Sequence, residues 1–110
     1  SNEAKMRLLG VKEETLKAYG AVSGQTAAEM AAGGAAMSRT DVCVAITGLA
    51  GPDGGTDKKP VGLVYMACCL KGKVTVREYH FKGNRDKIRE QSMMKALDLV
   101  RLCILEQGDC

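Results

Sequence analysis

Two apolar runs, DVCVAIT (41–47) and VGLVYMACCL (61–70), are joined through the stretch ITGLAGPDGGTDKKPVG at residues 46–62. Five of its seventeen residues are glycine, and both prolines of the chain lie in it. Neither run shows sustained polar alternation, which predicts two strands buried on both faces, as in a parallel sheet covered by helices. The loop lies where ligands of open α/β sheets bind, beyond the carboxyl end of a strand. Its glycines can serve two ends. Bare amides can converge on an anion, or positive φ angles can make a tight connection with no ligand. The pattern is neither a GxxxxGK[ST] phosphate loop nor a GxGxxG fingerprint, so no triphosphate or dinucleotide site is inferred.

The rest of the chain supplies helices and one more strand. KVTVREYHF (73–81) alternates Val74 and Val76 against Thr75 and Arg77, and only Lys71-Gly72 separates it from the preceding run. A hairpin follows, with this strand the more exposed. SNEAKMRLLG and VKEETLKAYG read as short helices closed by Gly10 and Gly20. Ser23 is expected to cap a third helix whose face is alanine and glycine, suited to lying close on a sheet. Asn84 is expected to cap the longest helix, on which Met93, Ala96, Leu97, Val100 and Ile104 form a stripe. Met94, Leu102 and Leu105 fall off that stripe, so the helix is expected to meet the sheet and a second subunit. The fold class expected is α/β: a three-layer α/β/α arrangement of one domain over 1–110. Its sheet is expected to be mostly parallel with one antiparallel hairpin, and incomplete at the N-terminal side.

Composition narrows the function. Aromatics are 4% with no Trp, so the core must come from Ala, Val, Leu, Ile and Met. Net charge is +3, with no run of four basic residues, which does not support a nucleic-acid partner. No apolar run reaches the roughly 20 residues of a membrane span. Four of the five cysteines (Cys43, Cys68, Cys69, Cys103) sit in apolar segments and read as small buried hydrophobes in a reducing cytoplasm, with Cys110 a free thiol. His80 has no partner at zinc spacing, so neither a metal nor another cofactor is expected.

The motifs SNEAKMRLLGV, YGAVS, EMA, AITGLAGPDGGT, KPVG and GNRDKIRE occur here in that order. Together they resemble the CinA C-terminal family of competence/damage-inducible proteins. The resemblance implies a nicotinamide-nucleotide amidase, which hydrolyses the carboxamide of nicotinamide mononucleotide (NMN) to a carboxylate and ammonia. It also implies a nucleophilic serine in an ESCTGG turn before the SNEAK motif, and so a chain corresponding to the back two thirds of such a domain. From the residues alone, Lys5 is a solvated lysine on a short helix. The resemblance makes it the partner of that serine, with Asn2 either a helix cap or a donor to the substrate amide. Thr47, Gly48, Gly51, Gly54, Gly55 and Thr56 are the candidate contacts to the nucleotide. Arg85 reads either as a cation facing an anion or as a surface arginine, and His80 as a strand residue. Two further readings are a non-catalytic nucleotide-binding or regulatory module and a structural oligomerisation domain.

Overall fold

The computed structural model describes residues 10–48 and 61–108. In chain order these form α1 (Glu13–Tyr19), α2 (Gly24–Ser38), β1 (Val42–Gly48), β2 (Leu63–Leu70), β3 (Lys73–His80) and α3 (Arg85–Gly108). The strands make one sheet in the order β1-β2-β3.

The sheet corrects the expected strand direction. β1 pairs with β2 antiparallel, from Val42 opposite Leu70 to Gly48 opposite Val64. β2 pairs with β3 antiparallel as well, from Leu63 opposite His80 to Leu70 opposite Lys73. Among the described residues there is no parallel pair. Continuous apolarity reports that both faces of a strand are covered, and antiparallel strands can be covered on both faces too. Here it is β2 that is buried throughout, save for the half-buried Tyr65. β1 is less covered, with Val42, Cys43 and Val44 half-buried and Ile46 exposed.

β2 shows how the two faces are filled. Val64, Met66, Cys68 and Leu70 point to one side and form a core with Ile88, Leu99 and Cys103 of α3. Ala67 and Cys69 point to the other and meet Ala27 and Ala31 of α2, with Tyr65 at the margin. The α3 side uses large side chains, each contributing about 1.5–3 kcal/mol on burial. The α2 side uses small ones, so its stabilisation comes from close contact over a wide area. Gly34 is buried within α2, and a Cβ on Gly24 would already touch Val76 Cγ1 at 3.3 Å.

The caps agree with the sequence. Ser23 Oγ accepts from the Thr26 amide at 3.1 Å, and Asn84 Oδ1 accepts from the Lys87 amide at 2.9 Å. α1 has no cap from its own Lys12 side chain. Instead Glu29 of α2 reaches across: its carboxylate accepts from the Lys12 amide at 2.7 Å and from the Thr15 hydroxyl.

The buried stripe of α3 differs from the expected one. Ile88, Ser92, Leu99 and Cys103 face the sheet, with Ala96 and Val100 at the margin. Met93, Leu97 and Ile104 are 66%, 70% and 49% exposed. Ser92 escapes an apolar count, yet it is small, and Cys103 is buried as its apolar segment leads one to expect. The Ser92 hydroxyl donates to the Ile88 carbonyl at 2.7 Å, so its burial leaves no polar atom unmet. Of the expected stripe, Ala96 and Val100 thus pack at the margin of the core, while Met93, Leu97 and Ile104 form the open shoulder of the helix.

Cys68, Cys69 and Cys103 are buried free thiols and Cys43 is half-buried, in keeping with small-hydrophobe roles. Cys110 lies outside the described residues. Burial, reinforced by hydrogen bonding to the Cys103 thiol, pushes Cys68 up from 9.0 to about 12.

Two outcomes are expected. Glu29→Ala should destabilise the protein by about 1–3 kcal/mol, the range for stranding buried or half-buried donors. Hydrogen exchange should quicken across α1 and leave β2 unchanged. Cys68 should make stability fall at high pH. Below pH 9 the thiol is protonated folded and unfolded alike. Above it the unfolded thiol ionises while the folded one stays neutral up to about 12, so stability is lost across that window. Urea midpoints across the window, with Cys68→Ala flattening the decline, check this.

Candidate functional site

One end of the sheet gathers the chemistry. β1 ends there at Gly48, β2 begins at Leu63, β3 ends at His80, and α3 starts a few residues later. The glycine-rich stretch leaves β1 and returns to β2 at this end.

The two described ends of that stretch explain their glycines by packing. A Cβ on Gly48 would lie 2.8 Å from Val64 Cγ2 and 2.9 Å from the Leu63 carbonyl oxygen. Gly62 has φ +95°, and a Cβ there would sit 2.1 Å from the Phe81 carbonyl oxygen. The Phe81 amide donates to the Gly62 carbonyl at 2.9 Å, which pins β2's entry to the end of β3. For these two positions the tight-connection reading accounts for the glycine. Gly51, Gly54, Gly55 and Thr56 lie outside the described residues, as do Asn2 and Lys5.

Beneath Gly48, on the α3 side, is a cleft of about 280 Å³. Ile46, Val64, Ile88 and Met93 give it apolar walls, and Ser92 lies among them. Among the described residues Arg89 is the one charged side chain in its lining. The Ser92 hydroxyl donates to the Ile88 carbonyl, so among the described lining side chains the guanidinium is the uncommitted donor. Sequence reasoning picked Arg85 and missed Arg89. Arg85 is exposed and does not line the cleft. The signal for Arg89 was its place beside Ile88, the apolar residue that anchors the first turns of α3 to the sheet. Neither arginine forms an ion pair among the described residues.

Thr47 lies on the opposite face and is 7% exposed. Its hydroxyl donates to the Ala21 carbonyl at 2.7 Å, so its one proton is committed to the turn before α2. On that face Thr47, Tyr65 and Glu78 are aligned across the three strands. A second, open groove runs there between Gly24, Gln25 and Ala28 of α2 and Tyr65, Val76 and Glu78 of the sheet. His80 Nε2 lies 2.7 Å from Glu78 Oε2, placing this strand residue in an exposed pair. The hydrogen bond from His80, then that from the Tyr65 hydroxyl, holds the Glu78 carboxyl below the usual carboxylate range. The same Glu78 bond raises the Tyr65 phenol.

The α3-side cleft can therefore hold a flat apolar group against its walls and an anion at Arg89. No carboxylate of the described residues lines it. No group of three metal-ligating side chains occurs among the described residues, and no described helix is long and apolar enough to cross a membrane.

Comparison with known proteins bears on the family and the fold. The CinA C-terminal domain family model matches residues 1–104. The chain belongs to that family. It is 50% identical over 108 residues to a competence-damage inducible protein of Clostridium novyi, covering 98% of this chain and 26% of that protein. It is 53% identical over 105 residues to the CinA-like protein of Kosmotoga olearia, covering 96% of this chain and 26% of that one. The chain thus spans about a quarter of the length of the curated relatives it matches. Among solved structures, the competence/damage inducible protein CihA of Agrobacterium tumefaciens superposes with a TM-score of 0.90 at 43% identity. That match covers 93% of this chain and 63% of the other. The competence or damage-inducible protein of Enterobacter asburiae gives a TM-score of 0.89 at 38% identity, covering 94% and 65%.

Gly48→Ala should cost about 1–3 kcal/mol, because its methyl cannot fit without parting β1 from β2. A thermal melt reads the loss, and hydrogen exchange should localise it to the Gly48 end of the sheet.

Proposed function

We propose that this CinA-family chain forms the substrate-binding part of an amidohydrolase that converts NMN to nicotinate mononucleotide and ammonia. The observation carrying the reading is the cleft beneath Gly48, apolar on its walls and cationic at Arg89. A pyridine ring bearing a carboxamide suits the walls, and a ribose phosphate suits the guanidinium.

The reaction needs a nucleophile, a group that takes and returns its proton, and donors aimed at the developing oxyanion. The family's ESCTGG turn has no counterpart in these 110 residues, so the reading assigns its serine to the rest of the parent protein. Lys5 removes the serine proton as the oxygen attacks the carboxamide carbon. The reading keeps Gly51, Gly54, Gly55 and Thr56 as contacts to the nucleotide, with Asn2 as donor to the substrate amide. The C–N bond breaks, Lys5 returns the proton, and ammonia leaves. Water then attacks the acyl-serine, releasing the carboxylate and restoring the hydroxyl. Lys5 can act as a base only where burial or a neighbouring cation lowers its pKa toward neutrality.

A second reading is a non-catalytic nucleotide-binding or regulatory module. Self-association, in a cytoplasmic setting, is part of the proposal. It is supported by the exposed Met93, Leu97 and Ile104 of α3 and by the free thiols.

A coupled ammonia-release assay on NMN with the full-length parent separates the two readings. Lys5→Ala should lower kcat by about 10²–10⁴, the usual contribution of general acid–base catalysis. Ammonia release at the full rate in Lys5→Ala removes Lys5 from the mechanism. No release by the parent favours the binding module.

A further inference from the structure

We propose that Arg77 closes the outer edge of the sheet to strand addition by a second copy of this chain, through a hydrogen bond from its guanidinium to the Val76 carbonyl.

The open edge follows from register. β3 pairs with β2 on one side, and among the described residues no strand lies beyond it. The Phe81 amide donates to the Gly62 carbonyl, so residues 62 and 81 continue this antiparallel ladder as a hydrogen-bonded pair. Such pairs recur at every second residue, which gives the bonds with β2 to Lys73, Thr75, Arg77 and Tyr79. The amides and carbonyls of Val74, Val76, Glu78 and His80 therefore point away from the sheet. A row of this kind is a template for another strand.

The middle of the row is the part most suited to pairing. Val74, Thr75 and Val76 are consecutive β-branched residues, the type enriched in strands. Val74 and Val76 are half-buried against the α2-side core, which holds this part of the edge in place. Charged side chains flank it, with Lys73 at one end and the Glu78–His80 pair toward the other. Arg77 stands next to the middle. It lies opposite Met66, so its side chain starts on the α3 side of the sheet. From there it turns over the edge, and Nη1 donates to the Val76 carbonyl at 3.0 Å. That oxygen is one of the outward acceptors, so the guanidinium occupies the place an incoming amide would need. A second strand would have to displace it and draw its charge out of water, which is costly without a carboxylate to meet it.

The test compares the full-length parent with its Arg77→Val variant by light scattering of fractionated samples over a concentration series. At the highest concentrations Arg77→Val should have at least about twice the mean mass of the unaltered parent, because an unguarded β-branched edge pairs with its own copy. Arg77→Thr, which keeps a polar side chain at this exposed position, should grow in the same way. Adding Val76→Pro to either variant should restore the parent's mass. The Val76 amide faces outward, so proline there spares the β2 ladder and bars a new strand. Growth that comes from unfolding would survive the proline. Hydrogen exchange reads the same contact: the Val76 amide should exchange at least about tenfold more slowly in concentrated Arg77→Val than in the parent. Variants whose mass matches the parent's, or growth that persists with the proline, overturn the proposal. So does a Val76 amide already protected in the unaltered parent, since the edge is then covered by other means.

Discussion

The double burial of β2 is the constraint on which the other elements depend. It is hydrogen-bonded on both edges, by β1 and by β3. Its faces are covered by two unlike helices, large side chains toward α3 and small ones toward α2. Met66 and Ala67 are adjacent, point to opposite faces, and are both fully buried. A strand in this position fixes the register of its neighbours, because a slip of one residue would turn each apolar side chain to the wrong face. The glycine stretch starts and ends against this strand, and the cleft is floored by its Val64. The geometry of the candidate site therefore follows from the packing of the core.

Much of this was legible in the residues. VGLVYMACCL predicted a strand covered on both sides, and Ser23 and Asn84 marked two helix starts where the caps are found. The direction of β1 was not legible. A run such as DVCVAIT reports burial, and burial does not distinguish a parallel neighbour from an antiparallel one. The sheet-facing stripe of α3 was hidden for a related reason. An apolar count favours Met93, Leu97 and Ile104 over Ser92, whereas fit beneath a helix favours the smaller side chain. The Glu29 bridge to α1 joins positions fourteen and seventeen residues apart, beyond any local pattern.

The site was legible as a region more than as a set of residues. The glycine stretch pointed to the correct end of the sheet, yet Gly48 and Gly62 are demanded by the close approach of Val64 and Phe81. Thr47 faces the α2 side and spends its proton on Ala21. Arg85 proved a neighbour of the cleft, with Arg89 in its lining. Surface arginines one helical turn apart look alike in sequence. What separates them is which face of α3 meets the sheet, and the burial of Ile88 and Leu99 in the shared core marks that face. Lys5 and Asn2 rest on their motif alone.

Membership of the CinA family joins this geometry to a class of longer proteins, of which the chain covers about a quarter. The central claim is that the ligand sits on the α3 side of β2, between Gly48 and Arg89, and not in the groove beside Tyr65 and Glu78. A crystal structure of the full-length parent soaked with NMN tests it most directly. The account predicts density for the ring along Ile46 and Val64, with the phosphate at the Arg89 guanidinium. Density for the nucleotide on the α2 side, with the α3-side cleft empty, would contradict it.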